Sequence, residues 1–297
     1  MRVVTDLNEL RRARLALTEP LGFVPTMGYL HEGHLSLVQR AKEECASVII
    51  SVFVNPAQFG PHEDFERYPR TLDHDLHMLK DLNPDLVWAP SVGTIYPEGF
   101  QTYINVERMS LPLEGTVRPG HFRGVATVVA KLFNQVQPQY AYFGQKDAQQ
   151  LTVIRRMALD LNMPVHIVAC PIIREADGLA MSSRNGYLNP NERRAAVILH
   201  QALEAARLAY NRGERQPETL KSAMRKIILN EPLARIDYVS ISRPETLVEL
   251  DVLGPNALFS LAVRIGSTRL IDNFLLEAGR WQTGRLSSGS LSYAAGH

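Results

Sequence analysis

Short apolar runs alternate with stretches of helical periodicity through the first half of the chain, and that alternation leaves few folds open. Residues 21–25, 48–54, 86–88, 140–143 and 165–169 have the length and apolarity of buried strands. Between them the spacing predicts helices after residue 34 to Glu44, over 72–82, over 126–136 and over 151–161. Strand and helix in turn read as βαβ units, hence a mostly parallel sheet with helices on both faces. Sheets of that kind bind ligands beyond the carboxyl ends of their strands. The residues to inspect are therefore 27–34, 55–58, 144–147 and the stretch after Pro171.

The first of these carries the most chemistry. His31-Glu32-Gly33-His34 follows the turn Thr26-Met27-Gly28 and precedes a helix whose inner face is Leu35, Leu37, Val38 and Ala41. Unpaired backbone N–H groups at a helix start favour an anion, and Gly33 has no Cβ to hold its backbone away. Two imidazoles three residues apart then bracket one phosphate. A zinc role is disfavoured: helical metal pairs use i,i+4 spacing, and Cys45 and Cys170 form no C-x-x-C.

Other strand ends complement that site. Lys146 supplies a point charge for a phosphate, and Asp147 a carboxylate for a ribose hydroxyl. Met181-Ser182-Ser183-Arg184-Asn185-Gly186 offers two hydroxyls and a guanidinium suited to β- and γ-phosphates. Gln58 and Gln150 are neutral amides that both donate and accept, and so suit a substrate with hydroxyl and carboxylate groups. Arg118, His121 and Arg123 form a basic turn around Pro119 and Gly120, read as a lid or an anion contact.

Charge narrows the partners. With 32 basic and 31 acidic residues the net charge is +1, which argues against nucleic acid and for a local cationic site taking small anions. The opening residues hold no apolar leader, and the apolar run 48–54 is too short to span a bilayer, so no membrane association is expected. Cys45 and Cys170 sit in apolar segments and read as reduced, buried thiols of a cytoplasmic protein. Beyond Asn189-Pro190 two helical stripes, Leu199/Leu203/Ala206/Tyr210 and Leu220/Met224/Ile227/Ile228, precede strand-like runs at 236–242 and 261–265. They give a small α+β unit.

Taken in order, the HxGH loop, residues 53–58, Tyr68-Pro69-Arg70-Thr71, residues 118–124, residues 143–150 and residues 177–185 closely resemble the pantoate–β-alanine ligase family of HxGH nucleotidyltransferases. The resemblance runs over about residues 1–283. It implies a Rossmann-like nucleotide- and pantoate-binding domain over 1–175 and a smaller C-terminal domain over 176–283. Residues 284–297 are low in complexity and expected to be a mobile tail. It further implies a homodimer using Mg2+ with ATP, pantoate and β-alanine, and a pantoyl-adenylate intermediate.

By the same resemblance Met27, Gly28, Tyr29, Leu30, His31, Glu32, Gly33 and His34 contact ATP, with Gly144, Gln145, Lys146, Asp147, Ile173, Met181, Ser182, Ser183 and Arg184. His34, Lys146, His31, Ser182 and Arg184 carry the chemistry, His34 as acid or charge stabiliser. Gln58 and Gln150 bind pantoate, and Gln58 also lies near β-alanine. Two residues depart from the family: Gln145 stands where Glu is frequent, and Ala148 where an aromatic is common. No protein ligand of Mg2+ is assigned, since ATP phosphates and water can hold that ion.

Overall fold

The structure is a computed structural model, and it describes residues 1–61 and 63–287. Two compact units, Met1–Cys170 and Pro171–His297, divide the chain. That division falls a few residues ahead of the expected one. The first unit runs β1 (Arg2–Val4), α1 (Leu7–Leu15), β2 (Leu21–Thr26), α2 (Glu32–Glu44), β3 (Ser47–Val52), α3 (Leu72–Met78) and β4 (Leu86–Trp88). It continues with α4 (Val92–Ile95), α5 (Glu114–Val117), α6 (His121–Val136), β5 (Tyr140–Gly144), α7 (Ala148–Asp160) and β6 (His166–Cys170).

Its six strands pair in the order β1-β4-β3-β2-β5-β6, parallel throughout. From β2 the chain steps outward through β3 and β4, then returns to add β5 and β6 on β2's other side. The switch point lies between β2 and β5, where an open α/β sheet leaves a crevice at its carboxyl edge. The loops after these two strands are the HxGH loop and residues 145–147.

The core under this sheet gathers Phe23, Ile49, Trp88, Phe133 and Phe143, with Phe133 edge-on to both other phenylalanines. Helix α6 brings Phe122, Val125, Val129 and Phe133 to it. Gly124 on the same helix lets its backbone meet the short 3₁₀ turn Pro56–Gln58: a Cβ there would stand 2.2 Å from the Ala57 carbonyl oxygen. The first strand and helix, β1 and α1, have no counterpart in the expectations above. Arg2–Val4 is too short and too exposed for its apolar pattern to register.

The second unit holds β7 (Ile173–Arg174), α8 (Pro190–Ala196), α9 (Ile198–Asn211), α10 (Pro217–Leu229), β8 (Ala234–Ser242), β9 (Ala257–Ile265), β10 (Thr268–Glu277), β11 (Arg280–Gln282) and β12 (Arg285–Leu286). Strands β11-β10-β9-β8 form an antiparallel sheet whose core is shared with α9 and α10. Strand β10 is an addition to the expected pair. Asp272 and Asn273 interrupt its apolar pattern as turn-forming residues would, yet both are buried, Asp272 in a two-pronged ion pair with Arg174 at 2.7 and 2.9 Å.

The beginning of the supposed tail is also ordered: Arg285 and Leu286 pair in parallel with Ile173 and Arg174. Residues 288–297 of that tail lie outside the described residues. Gly124→Ala is expected to overpack the α6 contact at a cost of about 1–3 kcal/mol. The check is the denaturant midpoint, with an unshifted midpoint counting against the close approach.

Candidate active site

The HxGH loop is held open from below and capped from within. Gly28 and Tyr29 take left-handed backbone angles, φ 80° and 51°. Asp75 of α3, 1% exposed, accepts the backbone N–H groups of Tyr29 at 3.1 Å and Leu30 at 2.7 Å. A Cβ on Gly28 would meet that carboxylate at 2.7 Å, so the turn requires glycine. Burial raises the Asp75 pKa, while the Leu30 and Tyr29 N–H groups pull it back.

His31 is the N-cap of α2. Its Nδ1 accepts the Gly33 N–H at 3.1 Å, and His34 Nδ1 accepts the His31 N–H at 3.3 Å, a reciprocal capping box made of two imidazoles. An Nδ1 that accepts carries no proton, so each neutral ring bears its hydrogen on Nε2. The rings lie 4.0 Å apart between centroids. Burial pushes His34 down to about 4, with Asp147 opposing and Lys146 adding to the shift. His31 falls well below its ordinary value through burial and then through His34 and Lys146. Both histidines are thus neutral donors at pH 7, with Lys146 and Asp147 as their charged neighbours.

Residues 145–147 form a 3₁₀ turn leading directly into α7, with Gly144 at the end of β5. Gln145 is buried, and a neutral amide there is cheaper to desolvate than the frequent glutamate. Ala148 is the buried first residue of α7, and Gln150 is part-buried in its first turn. The preceding Gln149 serves the fold: it accepts the Glu114 N–H and donates to the Met109 and Pro112 carbonyls.

Gln58 sits in a fully specified network. Its Oε1 accepts from Asn55 Nδ2 at 3.0 Å, and its Nε2 donates to the Met27 thioether at 2.9 Å. Asn55 is fixed in turn, accepting from Tyr96 OH at 2.7 Å and donating to the Gly124 carbonyl at 3.2 Å. The Gln58 carbonyl accepts from His121 Nδ1 at 2.8 Å, and Arg118 Nη1 donates to His121 Nε2 at 3.1 Å. Burial, then Arg118, holds the His121 pKa down to about 4. Arg118 forks onto Glu63 at 2.8 and 2.6 Å, and the Arg123 guanidinium lies 4.1 Å over the Tyr103 ring. The basic turn read as a lid or anion contact therefore has its charges engaged, and it buttresses Gln58.

In the second unit Ser182 caps the 3₁₀ turn Ser183–Tyr187, accepting the Arg184 N–H at 3.3 Å. Met181 N–H donates to the Ile173 carbonyl at 2.9 Å. Asn185 ties this turn back to Glu175 and to the Ala180 carbonyl. Asp75 and Tyr96 are site residues that sequence reasoning missed, while Asn55 was only flagged as lying past a strand and His121 was read as part of a basic turn, not as a support of Gln58. Of the two missed, only Asp75 left a trace, as an acid opening a helix.

With this geometry in place, comparison with known proteins decides the family. The model for pantoate–β-alanine ligase matches residues 2–275. The chain belongs to the pantoate–β-alanine ligase family. It is 62% identical over 278 residues to the pantothenate synthetase of Roseiflexus sp. (strain RS-1), covering 94% of this chain and 100% of that one. Among solved structures, a pantothenate synthetase from Thermus thermophilus superposes with a TM-score of 0.90 at 50% identity, over 93% of this chain and 100% of that one. The pantoate–β-alanine ligase of Francisella tularensis, complexed with β,γ-ATP and β-alanine, gives 0.77 at 34% identity over 93% of this chain and 97% of that one. The fold and enzyme class implied by the motifs are those of this ligase family.

Neither cysteine forms a disulfide, as expected, but Cys45 is only part-buried, with Sγ 3.3 Å from Tyr142 OH. Among the described residues no helix is long and apolar enough to cross a membrane.

The protonation states are directly testable. Ring ¹⁵N shifts should report the Nε2–H tautomer for His31 and His34, with His34 titrating near 4 and not 6.5. Unfolded histidine takes up its proton near 6.5, so between those values the folded state binds fewer protons. Stability from His34 and His121 should therefore fall as pH drops from about 6.5 to 4. A His34 midpoint above 6 would refute the neutral-donor assignment.

Proposed function

We propose that the chain condenses (R)-pantoate with β-alanine in two steps driven by ATP. A pantoate carboxylate oxygen bonds to the α-phosphorus as the bond to the β-phosphate oxygen breaks, releasing pyrophosphate and leaving pantoyl adenylate. The β-alanine amine then attacks the acyl carbon and AMP departs, giving pantothenate. The observation that carries this reading is the meeting of two neutral Nε2–H donors, the start of α2 and the Lys146 ammonium at the sheet's switch point, in a loop whose Met27 also contacts Gln58.

Negative charge moves toward pyrophosphate in the first step, so these donors act where charge develops and need not transfer a proton. Residues 27–34 and 144–147 of the first unit and Ile173 and 181–184 of the second are assigned to ATP. His34, Lys146, His31, Ser182 and Arg184 are assigned to phosphate charge. Gln58 and Gln150 orient pantoate, and Gln58 also meets β-alanine. Amides suit this task because a bidentate arginine on the reacting carboxylate would lower its nucleophilicity.

Among the described residues no three His, Cys, Asp or Glu side chains gather as a metal site, and Asp75 already accepts two backbone N–H groups. Mg2+ carried by phosphate oxygens and water fits such a site without a protein cage. It would supply charge neutralisation on the triphosphate. A homodimer and a cytoplasmic location belong to the same proposal. Two cysteines that form no disulfide suit a reducing compartment.

The test is an incubation with Mg-ATP, pantoate and β-alanine, omitting each in turn, with AMP, pyrophosphate and pantothenate measured. Formation of ADP, or turnover indifferent to pantoate, would overturn the assignment. His34→Ala and Lys146→Ala should each lose on the order of 10²–10³ in kcat. A folded variant that keeps its turnover removes that residue from the chemistry.

A further inference from the structure

Strand β7 is bonded along both of its edges, by two segments far apart in sequence. On one side Arg174 bridges Ala180 in antiparallel fashion and Ile173 receives the Met181 N–H. On the other side Arg285 N–H donates to the Ile172 carbonyl and Ser287 N–H to the Arg174 carbonyl, both at 2.7 Å. Ser182 and Arg184 therefore hang from a strand whose opposite edge is covered by β12. The Arg174 guanidinium joins the same three segments, donating to the Gly178 and Thr283 carbonyls and to Asp272.

Strand β12 contributes almost nothing to a core. Arg285 is exposed and Leu286 is 64% exposed, so what the strand offers is backbone alone. Its approach is nevertheless specific. Gly284 has φ 99°, and a Cβ on it would stand 2.6 Å from the Ile172 carbonyl oxygen. The matched family model ends at residue 275, so β12 lies outside the part of the chain that the family describes.

We propose that β12 is a positioning strand for nucleoside triphosphate binding: paired to the edge of Ile173–Arg174, it fixes the strand from which residues 181–184 present their hydroxyls and guanidinium. The proposal rests on the assignment of those residues to ATP. An uncovered strand edge exchanges its bonds with water, and a segment hung from it samples more conformations before ligand can bind. The loss should fall on ATP affinity, because Gln58 and Gln150 belong to the first unit.

Five proteins test this: the full chain; the chain ending at Gly284; Arg285→Pro, which lacks the N–H given to Ile172; Leu286→Pro, whose N–H lies between the two donors and faces away from β7; and Arg184→Ala. The shortened chain should raise KM for ATP about tenfold, the size of two net backbone hydrogen bonds. Arg285→Pro should raise it about threefold to fivefold, on the scale of one such bond. The thermal midpoint should fall only slightly with the missing bonds, KM for pantoate should stay at its parental value, and Leu286→Pro should match the full chain throughout. Parental KM for ATP in both the shortened chain and Arg285→Pro, beside a raised KM in Arg184→Ala, would overturn the proposal while leaving the ATP assignment standing. Parallel shifts in the ATP constant, the pantoate constant and the thermal midpoint would also overturn it, since β12 would then be a brace for the whole unit. An Arg184→Ala variant with unchanged KM for ATP would remove the assignment, and the proposal with it.

Discussion

Two imidazole nitrogens accept the backbone N–H groups at the start of α2, and the character of the site follows from that. A helix start leaves its first N–H groups without partners. Here His31 Nδ1 takes the Gly33 N–H and His34 Nδ1 takes the His31 N–H. The capping bond sets the tautomer, the tautomer leaves the hydrogen on Nε2, and burial beside Lys146 keeps both rings from charging. Capping and ligand binding are often posed as rival explanations for a histidine at a helix start. In this chain one nitrogen of each ring does the first, which leaves the other for the second.

The acceptor side depends on a different kind of constraint. Gln58 could present either end of its amide, and only its partners decide which. Asn55 donates to its oxygen and is itself held by Tyr96 and the Gly124 carbonyl, so the Gln58 NH₂ is directed toward Met27. The main chain beneath is gripped by His121, which passes the restraint to Arg118 and Glu63. Buried polar networks rigidify when every member is satisfied. The residue proposed to orient pantoate is thus a side chain whose amide orientation its partners fix.

The sequence made the sheet legible because 86–88 and 140–143 are apolar throughout and 48–54 at all but Ser51, as strands covered on both faces tend to be. The histidine loop and Lys146 were legible for a related reason: both follow such strands. Strand β10 escaped because Asp272 and Asn273 look like turn residues until Arg174 is seen against them. Asp75 and Tyr96 escaped, and the hold of His121 on Gln58 with them, because these residues act through others, and no local pattern records a partner tens of positions away. The basic turn likewise depends on partners that the sequence does not place beside it. Its charges suggested an anion, and only Glu63 and Tyr103, distant in sequence, show them engaged.

Neutral histidines also bear on how the first step is catalysed. An imidazolium could donate a proton to the departing pyrophosphate, but keeping one buried beside the Lys146 ammonium before ATP binds would be costly, as the downward shift to about 4 for His34 records. Pyrophosphate is a stable anion and departs without a proton, so a proton donor adds little that a fixed hydrogen-bond donor does not. A neutral Nε2–H needs no reorganisation when charge builds on the phosphate, and it leaves the pantoate carboxylate, a weak nucleophile, free of a cation that would hold its electrons. In the proposed reaction the full charges come from Lys146 and Arg184. Their pairing with neutral imidazole donors follows from the way α2 is capped.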